Sequence, residues 1–145
     1  MGISMSVNDR DFAGKIEKRI KLLEQNVNRA VFKSTNLVKN DAVYSILRGA
    51  KTGVTSVRYK PRRTHQASAA GEAPASDTGF LASNITMEVS KNNFGAVGMV
   101  ISSSPYSAAL EFGTTKMAAR PFLQPALDRS ARKIKEIFIK EGLLD

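Results

Sequence analysis

The sequence predicts an α+β fold: a long N-terminal helix and a C-terminal helix packed on one face of a small, mainly antiparallel sheet, with a long insertion loop before its clearest hairpin. Three observations predict it. Apolar residues recur at helical spacing from Phe12 to Ile46, alternate at strand spacing between Ile85 and Ile101, and return to helical spacing after Pro121. Helical and strand patterns are segregated, where a parallel α/β sheet would alternate them.

The first helix is expected to start at Asn8 or Asp9, either of which caps it, and to run to about Arg48, where Gly49 offers a left-handed stop. Phe12, Ile16, Ile20, Leu23, Val27, Val31, Val38, Ala42 and Ile46 form one stripe; Lys15, Lys18, Lys21, Asn28 and Lys39 face away. About forty residues of helix extend ~60 Å, more than the width of a domain this size. The helix therefore either breaks near Ser34 to Asn36 or projects one end to pack on another subunit.

Val54 to Lys60 reads as a strand that Pro61 ends. Gln66 to Ser76, rich in Ala and Ser with Gly71 and Pro74, reads as an extended loop too small and polar to bury. Loop 61–78 and the N-terminus are thus expected to be ordered by neighbouring subunits. A short turn or helix, Gly79 to Ser83, leads into a hairpin: Ile85, Met87 and Val89 alternate with Thr86, Glu88 and Ser90, Lys91 to Asn93 turns, and Val97, Met99 and Ile101 return on one face. Gly95 and Gly98 mark a bend or a close backbone approach. Tyr106 to Phe112 suits a short helix closed by Gly113, with Ala109, Leu110 and Phe112 on its buried side. Pro121 suits the first turn of a last helix ending near Glu141. Its apolar face is Leu123, Leu127, Ile134, Ile137 and Phe138, and its basic face Arg129, Arg132, Lys133, Lys135 and Lys140.

The chain of 145 residues fits one domain, 1–145. No apolar run approaches the ~18 to 20 residues of a membrane span, and Met1 to Val7 does not read as a secretory signal, so a cytoplasmic product is expected. Twenty-two Lys and Arg against 13 Asp and Glu give a net charge of +9, which favours polyanions or acidic protein surfaces as partners. The charge concentrates in Arg48, Lys51, Arg58, Lys60, Arg62 and Arg63, with no acidic residue until Glu72. This run is either a docking patch for phosphates or for an acidic neighbouring ring, with Arg62 and Arg63 at its end as interface candidates, or a solvated loop.

Catalytic chemistry finds few carriers. His65 is the only histidine and lies in a basic loop, and the absence of cysteine removes thiol catalysis and Cys-based zinc sites. Asp41, Glu72, Asp77, Glu88 and Glu111 have no metal-loop spacing. Gly113-Thr114-Thr115-Lys116 lacks the leading glycine and residue order of a phosphate loop. No enzyme activity, cofactor or small-molecule substrate is expected. Glu111 is expected to orient the Gly113 to Arg120 loop, which carries Lys116, at a subunit interface through an ion pair with Arg120 or with a neighbour's lysine; the alternative is an exposed surface pair. Phe112 and Phe122 read as core anchors.

Tyr106, Glu111-Phe112-Gly113-Thr114, Arg120-Pro121-Phe122 and Ala126-Leu127 follow one another in an order that resembles the tail-completion, or head-tail joining, proteins of long-tailed bacteriophages. Upstream, Ser68-Ala69-Ala70-Gly71-Glu72-Ala73-Pro74 leading into Thr78-Gly79-Phe80-Leu81 is similar to the small-residue segment and Thr-Gly-x-Leu turn of the same family. The resemblance covers roughly residues 9 to 141. It implies a structural neck protein of the virion, assembled in the host cytoplasm as a homo-oligomeric ring, six-fold, between capsid connector and tail tube. The implied partners are other neck proteins such as the connector, stopper or tail terminator, with DNA passing through the channel. The rival reading is a basic nucleic-acid-binding module, against which stands the placement of most aromatic residues on apolar stripes, away from the basic loop where bases would stack.

Overall fold

The computed structural model describes residues 9–59, 62–92 and 95–145. Helix α1 runs unbroken over Asp9–Arg48, followed by strands β1 (Thr55–Tyr59) and β2 (Arg62–Gln66) and a single-turn helix α2 (Phe80–Ser83). Strands β3 (Ile85–Asn92) and β4 (Gly95–Ser102), a short helix α3 (Ser107–Phe112) and helix α4 (Leu123–Lys140) complete the chain. The architecture is α+β, as the segregated patterns predict. Its strands divide into two antiparallel hairpins, β1-β2 and β3-β4, where one sheet was expected. Strand β2 falls within the expected loop 61–78, since Arg-Arg-Thr-His-Gln has no apolar alternation; it forms by pairing Thr55 with Gln66 through to Tyr59 with Arg62. The strand end expected at Lys60 and Pro61, Asn8 as one of the two expected caps, and the turn residue Asn93 lie outside the described residues.

The core forms against the C-terminal half of α1. Val38, Ala42 and Ile46 pack with Leu81, Ala82, Ile85, Phe122 and Ala126, and Phe122 is fully buried. Helix α4 lies antiparallel along α1: Arg129 pairs with Asp41 at 2.7 Å, while Glu141 meets Lys33 (2.5 Å) and Arg29 (3.5 Å). Asn26 donates to the Glu141 carbonyl at 3.0 Å. Gly142, at φ 71°, ends α4: its amide bonds to Ile139 O at 2.9 Å and the Leu143 amide to Phe138 O at 3.0 Å, the paired bonds of a Schellman cap.

The N-terminal half of α1 is a different matter. Phe12 (58% exposed), Ile16, Ile20 (53%) and Leu23 continue the line of the buried stripe yet lie open, so the helix projects rather than breaks. At its other end Gly49 does not take the expected left-handed conformation. Its amide bonds to Ser45 O at 3.1 Å, and the Lys51 ammonium donates to the same carbonyl at 3.0 Å, so a lysine rather than a glycine conformation closes the helix.

Hairpin β3-β4 packs its inner face on α1. A Cβ on Gly98 would collide with the side chains of Thr35 and Val31, which is the close approach expected there. The register pairs Met87 with Val100 and Glu88 with Met99. Paired residues share a face, so Ile85 and Met87 turn to the core with Val100 while Val97, Met99 and Ile101 turn outward with Thr86, Glu88 and Ser90. The two apolar triplets of the hairpin therefore lie on opposite faces.

Candidate assembly surface

The residues from α3 to α4 fold as one unit whose centre is Glu111. Its carboxylate accepts the backbone amides of Phe122 (2.8 Å), Leu123 (3.0 Å) and Gln124 (2.9 Å). An α-helix leaves its first amides without intrahelical partners, and the side chains of Phe122 and Leu123 offer no acceptor. Glu111 supplies it from another helix and places a negative charge where the helix dipole favours one. The expected pairing with Arg120 is thus replaced by a cap on α4.

Between these helices the chain makes a tight excursion. Gly113 takes φ 77°, and a Cβ there would lie 2.9 Å from both Ala119 N and Met117 O. Thr114 and Met117 then form a bridge, Thr114 N to Met117 O at 2.8 Å, with Lys116 exposed at its tip and its amide held by Thr114 Oγ1 at 3.2 Å. Arg120 closes the loop through its amide to Leu110 O at 2.7 Å. Its side chain is half-buried, with the guanidinium against the Met117 sulfur (3.8 Å) and Nε buried without a partner.

Phe112 departs from the buried position expected of it and stands 82% exposed. On a helix of six residues that packs through Ser107 and Leu110, a side chain two positions beyond Leu110 faces the other way. Phe122, by contrast, is the core anchor expected.

The small-residue segment is held by its own chain, a correction to the expectation that its composition leaves it unburied and in need of neighbours. Glu72 accepts from Thr52 Oγ1 (2.6 Å), Thr52 N (2.9 Å) and Ala69 N (2.8 Å). Lys51 reaches Ala73 O at 2.6 Å, Ser68 and Pro74 are buried, and Ala73 packs on the core. The Thr52 hydroxyl bond, with the two amide bonds, holds the Glu72 carboxyl below the usual carboxylate range, and burial lowers Lys51 against the opposing pull of Glu72. Nothing in the sequence pattern assigns Glu72 this tethering role except its place three residues after Ala69, in a run of turn formers.

This segment also meets the α3–α4 loop. Gly71, at φ 81°, donates its amide to Ala119 O at 2.9 Å, and the rings of Phe80 and Tyr106 lie 6.2 Å apart. A cleft of about 240 Å³ opens between them, bordered by His65, Asp77, Thr78, Tyr106 and Arg120. Arg63, on β2, pairs with Asp77 at 2.5 Å. Arg62 is exposed on the same strand, across from exposed Tyr59. The structure therefore brings Glu111, Lys116 and Arg120 into one loop, links Arg63 to that loop's border through Asp77, and leaves Arg62 at the far end of β2.

Among the described residues no group of three or more His, Cys, Asp or Glu side chains is placed to hold a metal ion, and no helix is long and apolar enough to cross a membrane. No protein family, curated protein or solved structure matches this chain.

Proposed function

We propose that this chain is a structural, ring-forming component of the neck of a long-tailed bacteriophage, joining head to tail. The observation that carries the proposal is the meeting of the two family-like segments in space. Gly71 of the first bonds to Ala119 of the second, and Glu111 of the Glu-Phe-Gly-Thr run caps the helix that the Arg-Pro-Phe run opens. Residues far apart in the sequence thus form one supporting unit, a physical reason for them to occur together.

Further support comes from the surface. Phe12, Ile16 and Ile20 are exposed at helical spacing on one face of α1, and Val97 and Met99 on one face of β4, and contiguous apolar surface of this kind marks contact with other proteins. In this reading Lys116, Arg62 and the half-buried Arg120 meet acidic groups of neighbouring subunits or of the connector, stopper or tail terminator. The virion is where the protein acts, and DNA passes through the ring. Native mass measurement of the purified chain, alone and with connector or terminator proteins, tests the proposal: a closed ring that binds one of them is expected, and a monomer inert towards both overturns it.

A further inference from the structure

We infer that copies of this chain join head-to-tail, the projecting half of α1 from one copy lying across the outer face of the β3-β4 hairpin of the next. The inference rests on the ring reading above and names the contact that would build it. Two apolar stripes are left open. On α1, Phe12, Ile16 and Ile20 extend the buried stripe beyond the point where the chain's own hairpin ends, since Lys91, Gly95 and Ala96 at the hairpin tip border a cleft with Leu23 and Val27. On the hairpin, Val97 (42% exposed), Met99 (43%) and the half-buried Ile101 line the face turned away from α1.

The two stripes fit one another in length and charge. Residues 9–25 of α1 span ~25 Å at 1.5 Å per residue, and the eight-residue strands span ~27 Å at 3.4 Å per residue. Glu88 is the one charged residue among Thr86, Glu88, Ser90, Val97, Met99 and Ile101 on the outer face. Arg19 sits on α1 beside Ile16 and Leu23, three and four residues away, and Lys15 precedes it by one turn. A two-stranded hairpin needs cover to be stable; α1 covers one face within the chain, and a second α1 covers the other. The alternative occupant, another α1 stripe in a two-fold pair, would leave Val97, Met99 and Ile101 open. Because the two surfaces differ, the contact is heterologous and closes into a ring when its rotation allows.

A chain without cysteine makes the contact directly testable. Ile20→Cys and Met99→Cys change exposed side chains, so both variants should fold. Mixed and oxidised, they are expected to give mainly the 20–99 disulfide between copies. Glu88→Lys in the Met99→Cys copy should cut that yield several-fold, and Arg19→Glu in the Ile20→Cys copy should restore it. Predominant 20–20 or 99–99 products, or a 20–99 yield no higher than that of Ile20→Cys with Lys135→Cys, would overturn the inference. A ring-sized mass without the 20–99 product removes this contact and leaves the neck reading standing; a monomer at every concentration removes both.

Discussion

Glu111 Oε2 accepts the amide of Phe122 at 2.8 Å, and through this contact the end of α3 fixes where α4 begins. With Leu123 and Gln124 on the same carboxylate, three amides at a helix start depend on one side chain. Glu111→Ala should therefore destabilise the monomer by about 1 to 3 kcal/mol, the scale of a lost helix cap and of hydrogen bonds to a charged group. At roughly 4 °C per kcal/mol the change is visible in thermal melting, and Glu111→Gln should fall between. Parent-like melting of the alanine variant would show that the cap contributes nothing.

Gly113 and Gly14 make a matched pair. At Gly113 the positive φ and the 2.9 Å approaches to Ala119 N and Met117 O oppose any side chain, so Gly113→Val should cost on the order of 1 to 3 kcal/mol and displace the loop carrying Lys116. At Gly14, inside α1, an added Cβ meets nothing within 4 Å, and Gly14→Ala should raise helix stability by about 0.5 to 1 kcal/mol. Urea titrations of both variants should move in opposite directions.

Acid should loosen the molecule at two defined places. The Lys33 hydrogen bond, followed by the charges of Lys33 and Arg29, holds the Glu141 carboxyl below its ordinary value of 4.5; Thr52, Ala69 and the Thr52 amide do the same for Glu72. For a carboxyl lowered by folding, the unfolded chain binds more protons as pH falls, so the stabilisation is present above the unfolded value and is lost as pH falls through the folded one. Stability measured by urea titration should thus decline below about pH 4.5. Glu72→Gln with Glu141→Gln should be less stable near neutrality and show a shallower decline. An acid profile as steep as the parent's would remove both carboxylates from the account.

Patterns that rest on one chain segment were legible in the sequence. The 40-residue α1, the β3-β4 hairpin, α3 and α4 each carry local periodicity, and Gly113 gives α3 its expected stop, which Gly49 does not give α1. Features that need a second segment were not. Strand β2 exists only through its partner, and Phe112 points out because Leu110 points in. The Glu111 cap joins residues eleven and more positions apart, so Glu111 was read as an interface carboxylate. Likewise, composition marked Gln66 to Ser76 as loose, while Glu72 and Lys51 tie it down through contacts about twenty residues away.

The paired arginines of β2 separate the two readings of the basic excess. Arg63 is held by Asp77 at 2.5 Å and Arg62 is exposed, so Arg62→Glu with Arg63→Glu should change monomer stability by no more than about 1 kcal/mol, the worth of an exposed ion pair. If, on the proposed neck reading, these residues dock on an acidic protein, the double variant should lose head-tail joining while any duplex affinity of the parent stays weak. If they bind DNA as their main task, the parent should bind duplex tightly, with affinity falling steeply as salt rises because each neutralised phosphate releases counterions. The first outcome is expected. Joining at the parent's level, together with loss of tight, salt-sensitive duplex binding in the double variant, would assign the patch to nucleic acid instead.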